Sequence, residues 1–265
     1  MAARQHVEGR AWRWFVFGAL LASAAGGAAA AESPRELLVF AAASLREACT
    51  SLEGPFEKAH PGLRLRFNFA GSQQLRTQLE QGAAADVFLS ADGRQMELAR
   101  KAGLVGPERP LVSNIPVLIV PRNNPAGLQR FADLPKVKRL VIGTSEVPIG
   151  HYTLEILERA NRVYGPDFSA RVQANVVSRE LNVKQVLTKV VLAEADAGVV
   201  YQSDAQSALA QVQVVPIPSD INVVAHYPMA SVLRSAQPAL ASAYLEFLLS
   251  AQAQAVFARD GFGPP

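Results

Sequence analysis

Three short junctions between an apolar run and a helical pattern constrain the fold of this chain most strongly. They lie at residues 40–47, 67–75 and 140–150, and in each the apolar run stops at a small or polar residue. A strand that leads into a helix through so short a turn points the free backbone N–H groups of the helix, and the positive end of its dipole, into the space above the strand end. An anion can bind there. Ser44 and Glu47 match a capping box, so the junction at residues 40–47, taken alone, is equally explained by a well-capped helix.

Strand-like and helix-like segments alternate along the rest of the chain. The predicted strands cover residues 37–41, 63–69, 86–89, 116–120, 140–142, 172–177 and 198–201, and the predicted helices cover residues 45–59, 73–82, 94–103, 152–164, 183–194 and 238–259. We expect Gly54 and Pro55 to bend or split the first helix, because proline cannot donate a backbone hydrogen bond. The alternation predicts right-handed crossover connections and an α/β fold with mainly parallel sheets flanked by helices.

Two stretches break this alternation and predict two lobes. Residues 112–116 interrupt the regular order, and residues 215–220 form an extended segment marked by two prolines. If the chain crosses between lobes at both stretches, residues 32–112 and 219–265 build lobe 1 and residues 113–218 build lobe 2. The ligand cleft then lies between the lobes, at the carboxyl ends of the strands, where open α/β sheets bind ligands. Two thin connections also predict hinge bending.

The first 31 residues are predicted to be a secretory signal peptide. Three arginines precede an apolar run at residues 14–22, and alanines at positions 28–31 offer small-residue cleavage sites. The apolar run has about nine residues, whereas a membrane-spanning helix needs about 20. The only cysteine, Cys49, lies beyond this segment, so the signal carries no cysteine for a lipid and the chain has no pair for an internal disulfide. We therefore predict an exported protein of a bacterial periplasm.

Charge and motif content argue against several other classes of protein. Residues 1–31 hold three of the 26 basic and one of the 23 acidic residues, so the mature chain is nearly neutral and the basic pI gives little support to nucleic-acid binding. The sequence has no histidine pair at metal-ligand spacing, no G-x-S-x-G elbow, no glycine-rich dinucleotide turn and no P-loop. Surface or capping roles explain Asp86 and Asp92, and His151 stands beside a helix start with no nucleophile evident. No enzyme is predicted.

A series of motifs resembles the periplasmic molybdate-binding proteins of ABC importers. The motifs are AAASL at residues 41–45, FAGS at 69–72, ADVFLSAD at 85–92, VPIG at 147–150, NV at 182–183, GVVYQSDA at 198–205, YPMA at 227–230 and GFG at 261–263. Each motif alone is weak, but their common order over residues 37–263 is specific. The resemblance implies a two-lobed periplasmic binding protein fold. It also implies high-affinity binding of molybdate and tungstate, delivery to the membrane permease of the importer, and a monomer without a cofactor.

The resemblance also implies which residues bind the anion. Two serines of lobe 1 match positions that bind through hydroxyl and backbone N–H groups, two residues of lobe 2 match backbone donors, and one matches a phenol donor. The two serines are Ser44 and Ser72, the two backbone donors are Ile149 and Val183, and the phenol donor is Tyr201. Ile149 stands where the family usually has alanine, and we expect it to alter packing more than recognition because its contact is through the backbone. Gly71 stands where a small polar residue is frequent, and we expect a more flexible turn there.

A pocket of neutral donors suits a tetrahedral dianion. Molybdate has four acceptor oxygens and no proton, whereas hydrogen phosphate carries a proton that would face other donors, at a cost of about 1 to 3 kcal/mol. No lysine or arginine stands at the matched positions, and no cation site is implied. Sulfate is also an unprotonated dianion, so a binding protein for sulfate or another small oxyanion is an open alternative. An enzyme on a similar two-lobed fold is a second alternative, which requires a reactive group in the cleft.

Overall fold

Residues 35–265 of the chain are described by the computed structural model. The predicted signal peptide, residues 1–31, lies outside the described residues. Among the helices of the described part, none combines the length and the apolar character that crossing a membrane requires.

Two five-stranded sheets form the framework. The strands are β1 (Arg35–Ala42), β2 (Leu63–Ala70), β3 (Val87–Leu89), β4 (Arg109–Asn114), β5 (Pro116–Pro121), β6 (Leu140–Gly143), β7 (Val176–Glu180), β8 (Ala197–Tyr201), β9 (Val212–Val215) and β10 (Ala225–Ser231). The first sheet has the order β2-β1-β3-β10-β4, and the second has the order β7-β6-β8-β5-β9. The sheets thus share one topology, with β6 to β9 in the places of β1 to β4 and β5 in the place of β10.

Four of the five strands in each sheet run in the same direction, as expected for mainly parallel sheets. β1 pairs in parallel with β2 and β3, and β6 pairs in parallel with β7 and β8. β10 pairs antiparallel with β3 and β4, and β5 pairs antiparallel with β8 and β9. The chain reaches β5 and β10 from the other sheet and not through a crossover helix, so no crossover forces these strands to be parallel.

The chain passes between the sheets twice. β4 ends at Asn114 in the first sheet and β5 begins at Pro116 in the second, so Ile115 is the connection. The return runs from the end of β9 at Val215 to the start of β10 at Ala225. We call the first sheet with its helices lobe 1 and the second sheet with its helices lobe 2. In these terms lobe 1 extends to Asn114, past the boundary that the sequence suggested at residue 112.

Nine α-helices and two 3-10 turns cover the sheets in the described part of the chain. They are α1 (Arg46–Ala59), α2 (Ser72–Glu80), α3 (Gly93–Lys101), α4 (Pro148–Tyr164), α5 (Phe168–Gln173), α6 (Val183–Val191), α7 (Gln202–Gln206), α8 (Pro238–Leu248) and α9 (Ala251–Arg259), with the turns Ala43–Leu45 and Phe131–Lys136. α1 continues through Pro55, so the predicted split is wrong. The carbonyl of Ser51 loses its helical partner, but Ser51 is exposed and water can replace that partner.

Three further sequence expectations differ from the structure. The predicted strand at residues 172–177 is wrong in its bounds, because α5 extends to Gln173 and β7 begins only at Val176; a short valine-rich run suits either element. The predicted helix at residues 238–259 is two helices, since Ser250 caps α9 by accepting the Ala253 N–H at 3.2 Å. The pattern also does not predict β4, β9 or β10, whose pairing depends on the other strands.

The helices that follow the buried strands begin on one side of the sheets. β5, β6 and β8 are buried along their whole length, and the carboxyl end of β1 is buried as well. α2, α4 and α6 follow β2, β6 and β7, and the first 3-10 turn and α1 follow β1. The amino ends of these helices therefore lie at the carboxyl ends of the strands, on the side where the two lobes meet.

Candidate functional site

One small cavity lies where the two lobes meet. Its wall consists of Ala42, Ala43, Ser44, Ala70, Gly71, Ser72, Ala91, Val147, Pro148, Ile149, Asn182, Val183 and Tyr201. The space not filled by protein atoms is about 220 Å³. This volume includes space that is open to solvent, so the enclosed part is smaller still, and the cavity suits a small ion. All five residues predicted from the sequence lie in its wall, and none of the wall residues has a charged side chain.

Helix amino ends supply backbone donors to this cavity. The first N–H groups of an α-helix have no acceptor within the helix. Ser72 is the first residue of α2, Val183 is the first residue of α6, and Ile149 is the second residue of α4. Each of the three thus brings such an N–H group to the cavity wall, together with the positive end of a helix dipole. The wall can therefore attract an anion without a charged side chain.

Tyr201 contributes a buried phenol to the wall. It is the last residue of β8 and is 1 % exposed, and within the described residues its phenol oxygen has no hydrogen-bond partner. An unpaired buried hydroxyl costs about 1 to 3 kcal/mol. Burial, and then the neighbouring Tyr227, raise the pKa of Tyr201 well above its ordinary value. The phenol therefore keeps its proton at neutral pH and is a donor without an acceptor.

Ser44 does not cap α1. The predicted capping box with Glu47 is wrong, because Ser44 lies inside the 3-10 turn and α1 begins at Arg46 without a side-chain cap. The Oγ of Ser44 instead lies 3.0 Å from the phenol oxygen of Tyr227 on β10. The side chain of Ser44 is therefore held by a distant strand and not by its own helix.

A buried polar chain supports Ser44. Asn114 Oδ1 accepts the N–H of Ile115 at 2.9 Å, so its NH₂ group is directed to the Oγ of Ser203 at 2.8 Å and to the phenol oxygen of Tyr227 at 3.5 Å. An amide NH₂ group only donates, so the Tyr227 oxygen accepts from Asn114 and can donate its own proton to Ser44. The hydroxyl proton of Ser44 is then free for a ligand. The sequence pattern gives no sign of this support, because no local pattern connects residues so far apart in the chain.

The hydroxyl of Ser72 is oriented in a similar way. The N–H of Ala91 donates to Ser72 Oγ at 3.0 Å, which leaves the hydroxyl proton free to be donated. The preceding Gly71 has ordinary extended geometry, with φ −63° and ψ 141°, and its N–H donates to Gln74 Oε1 at 3.1 Å. A Cβ on Gly71 would lie 2.4 Å from the carbonyl oxygen of Leu181 in lobe 2. Glycine is needed here for space between the lobes, and the turn is held by hydrogen bonds.

Two glycines allow the amino end of α4 to reach the cavity. A Cβ on Gly150 would lie 2.0 Å from the carbonyl oxygen of Thr144, and a Cβ on Gly143 would lie 2.9 Å from the Gly150 nitrogen. α4 therefore packs directly against the end of β6. The side chain of Ile149 is fully buried, so its extra bulk relative to alanine is accommodated in the core while the residue still lines the cavity.

The acidic residues and the histidine considered from the sequence are not in the cavity wall. The surface or capping role suggested for Asp86 is wrong, because Asp86 is buried and its carboxylate accepts a backbone N–H of β1 at 2.7 Å and the hydroxyl of Ser235 at 2.6 Å. Asp92 caps α3 by accepting the Gln95 N–H at 2.8 Å. His151 lies in the first turn of α4 and is partly exposed. Across residues 35–265, no group of three or more His, Cys, Asp or Glu side chains is placed to hold a metal ion.

Hydrogen bonds join the two lobes around the cavity. Gln73 Nε2 in lobe 1 donates to the carbonyl of Leu181 in lobe 2 at 2.8 Å. Gln95 Nε2 in lobe 1 donates to the carbonyl of Glu146 in lobe 2 at 3.1 Å. The lobes are therefore in contact over the cavity, and the structure is in a closed conformation.

Known proteins share this sequence pattern and this fold. Residues 37–263 match the family described as bacterial extracellular solute-binding protein. The molybdate-binding protein ModA of Mycobacterium tuberculosis is 38 % identical over 236 residues, which cover 88 % of this chain and 87 % of that protein.

Two solved structures of lower identity share the fold alone. The periplasmic molybdate-binding protein of Azotobacter vinelandii has a TM-score of 0.74 and 20 % identity, and the match covers 86 % of this chain and 99 % of that one. The sulfate-binding protein SubI of Mycobacterium tuberculosis has a TM-score of 0.78 and 18 % identity, with 87 % of each chain covered. Both are α/β proteins of the two-lobed type described above.

Proposed function

Since this chain belongs to the bacterial extracellular solute-binding proteins, we propose that it binds molybdate, and also tungstate, in the cavity between its lobes and delivers the anion to the membrane permease of an ABC importer. In this role it acts in the periplasm as a monomer and without a cofactor, and it catalyses no reaction. The relative named as a molybdate-binding protein supports the choice of anion.

The observation that carries the proposal is the phenol of Tyr201, which has no partner among residues 35–265 and lies in a wall built from donors. We assign to the anion the hydroxyl groups of Ser44 and Ser72, the phenol of Tyr201, and the backbone N–H groups of Ser72, Ile149 and Val183. A tetrahedral dianion with four acceptor oxygens can satisfy all of these groups. Each hydrogen bond to a charged group contributes about 1.5 to 3 kcal/mol.

The same donors select against protonated anions. Hydrogen phosphate would place its own O–H group against N–H and O–H groups, and one of the facing donors would stay unpaired at a cost of about 1 to 3 kcal/mol. No wall residue is an aspartate, a glutamate or a histidine that could accept this proton. The protein is therefore selective for anions that carry no proton at neutral pH.

Delivery follows from the division of donors between the lobes. Ser44 and Ser72 belong to lobe 1, whereas Ile149, Val183 and Tyr201 belong to lobe 2. Closure assembles both sets around the anion, and opening removes one set. Because the wall has no lysine or arginine, opening leaves the anion held by neutral donors of one lobe, from which it can pass to the permease.

Sulfate is the second candidate ligand. It is also an unprotonated tetrahedral dianion, and the sulfate-binding protein SubI shares the fold of this chain. Sulfate is smaller than molybdate, so donors on two lobes spaced for molybdate would not all reach its oxygens. Selection between these two anions is therefore made by the distance between the lobes.

Isothermal titration calorimetry of the mature protein with molybdate, tungstate, sulfate and phosphate tests the proposal. We expect tight binding of molybdate and tungstate, much weaker binding of sulfate and no detectable binding of phosphate. A ligand at 100 times its dissociation constant stabilises the folded state by about 2.7 kcal/mol, so the melting temperature should rise with molybdate and not with phosphate. Tightest binding of sulfate would support the second candidate, and equal binding of phosphate would contradict the selectivity argument.

A further inference from the structure

Three charged side chains beside the cavity form a network that joins the two lobes. Lys184 Nζ lies 2.9 and 2.8 Å from the two carboxylate oxygens of Glu47. It also lies 3.0 Å from Oδ1 of Asp204, an ion pair without the geometry of a hydrogen bond. Glu47 belongs to α1 of lobe 1, whereas Lys184 and Asp204 belong to α6 and α7 of lobe 2. One of the two ion pairs therefore crosses between the lobes and the other stays within lobe 2.

The network is directly connected to the anion site. Each of its members is one to three positions from a wall residue, as the pairs Ser44 and Glu47, Val183 and Lys184, and Tyr201 and Asp204 show. In addition, Asp204 Oδ2 accepts the backbone N–H of Tyr201 at 3.3 Å. The network is therefore in contact with the backbone that carries one of the proposed ligand groups.

The placement of Lys184 is not explained by helix stability. Lys184 is the second residue of α6, where the helix dipole disfavours a positive charge. Burial lowers the pKa of Lys184, but the charges of Asp204 and Glu47 outweigh burial and raise it, so the ammonium group is charged at neutral pH. Asp204 is fully buried, the Lys184 side chain is 18 % exposed, and the Glu47 side chain is 42 % exposed. The two carboxylates therefore hold Lys184 at this position.

We propose that Lys184 is a positioning residue that holds the lobes closed on the bound anion through Glu47, while Asp204 keeps Lys184 in place when the lobes are apart. The pair of Lys184 with Asp204 lies within one lobe and survives opening. The pair of Lys184 with Glu47 exists only when the lobes meet, so it stabilises the closed state alone. This inference rests on the proposed function, because closure matters only if an anion is held.

A second ion pair between the lobes provides a matched control. Arg94 Nη2 in lobe 1 lies 3.1 Å from Glu146 Oε2 in lobe 2, and the two side chains are 38 % and 66 % exposed. Exposed pairs contribute little to stability, because water and salt screen them. Glu47→Gln and Glu146→Gln each remove one negative charge from an ion pair that crosses the cleft, so they differ mainly in how far the partner cation is buried.

The test measures the release of isotope-labelled molybdate, chased with excess unlabelled molybdate, from the wild type and both variants. We expect Glu47→Gln to release the anion about two- to fivefold faster, the effect of a partly exposed ion pair, with an unchanged association rate. Glu146→Gln should release it close to the wild-type rate. The melting temperature without ligand should fall at most slightly in Glu47→Gln, because the contact belongs to the closed state and the open state loses only one charge in the first turn of α1. Lys184→Met is less suitable, since it leaves the buried Asp204 without a counter-charge.

Each outcome separates the network from the site itself. A wild type that binds no molybdate contradicts the proposed function. A wild type that binds molybdate, with the same release rate in Glu47→Gln, contradicts only the role of Lys184. Equally faster release of molybdate from both variants would also contradict the role of Lys184, because the loss of any charge across the cleft would then have the same effect. If Glu47→Gln lowers the melting temperature without ligand but leaves the release rate unchanged, the pair of Lys184 with Glu47 stabilises the fold and does not hold the lobes closed.

Discussion

The Oγ of Ser44 and the phenol oxygen of Tyr227 lie 3.0 Å apart, although 183 positions separate the two residues in the chain. Both residues are buried, and their contact joins the turn after β1 to β10 of the same sheet. With Asn114 donating to Tyr227, the phenol can donate to Ser44 and leave the serine proton for an anion. The contact can therefore orient Ser44 so that its proton is available to an anion.

Tyr227→Phe tests this orientation. The variant keeps the ring, including its edge contacts with Tyr201 and Phe262 at centroid distances of 5.7 Å, and removes only the hydroxyl. We expect molybdate affinity to fall by about two- to tenfold, the value of one neutral hydrogen bond. Calorimetry measures the change, and Tyr244→Phe is the control, because Tyr244 is a buried tyrosine outside the cavity wall. Unchanged affinity in Tyr227→Phe would remove the contact from the binding mechanism.

Ser44→Ala and Tyr227→Phe together should not be additive. Both variants act through the same hydroxyl, so the double variant should lose about as much affinity as Ser44→Ala alone, which we expect to be roughly ten- to a hundredfold. A double-mutant cycle of molybdate affinity measures the coupling. Additive losses would show that Tyr227 acts independently of Ser44.

Tyr201→Phe should change affinity and ligand-free stability differently. The phenol has no partner within the described residues, so removing it should leave the melting temperature without ligand unchanged or raised. Loss of one donor to a charged ligand should weaken molybdate binding by roughly ten- to a hundredfold. Thermal unfolding and calorimetry on the one variant give both quantities. A lower melting temperature with normal affinity would make Tyr201 a structural residue of the core.

Gly71→Ala should hinder closure of the lobes. The new Cβ would lie 2.4 Å from the carbonyl oxygen of Leu181 across the cleft, so the lobes cannot reach the spacing seen here. We expect weaker molybdate binding and less compaction on adding molybdate, measured by small-angle scattering. Gly93→Ala is the control, because a Cβ on Gly93 meets no atom within 4 Å. Full compaction and wild-type affinity in Gly71→Ala would show that the turn can move aside.

Cys49 should be protected from alkylation in the folded protein. Burial raises the pKa of Cys49 from 9.0 to about 12. The folded state therefore holds this proton more tightly than the unfolded chain does. The resulting contribution to the free energy of unfolding is complete below pH 9 and is lost as the pH rises toward about 12. Reaction with iodoacetamide at pH 8 should be slow for the native protein and fast in denaturant, with Cys49→Ala as the blank. Fast reaction of the native protein would contradict the burial of this thiol.

The sequence by itself determined the strand-to-helix junctions, and its resemblance to a known family pointed to five residues of the cavity wall. An apolar run, a small turn residue and the first helical turn are neighbours in the chain, so their geometry follows from local backbone chemistry. Ser44, Ser72, Ile149, Val183 and Tyr201 all stand at such junctions and all line the cavity. That they bind an anion stays a prediction, which the experiments above test.

Only the tertiary structure decided how these groups are supported and brought together. The capping box suggested for Ser44 and Glu47 is replaced by two distant partners, Tyr227 for the serine and Lys184 for the glutamate, at sequence separations of 183 and 137 residues. A Cβ on Gly71 would meet a backbone carbonyl of the opposite lobe as well as the side chain of Gln73 in its own turn. These contacts depend on how two lobes dock and on which strand arrives from the other sheet. A hydrogen bond or a steric contact depends on distance in space, and local sequence patterns carry no information about such distances between residues far apart in the chain.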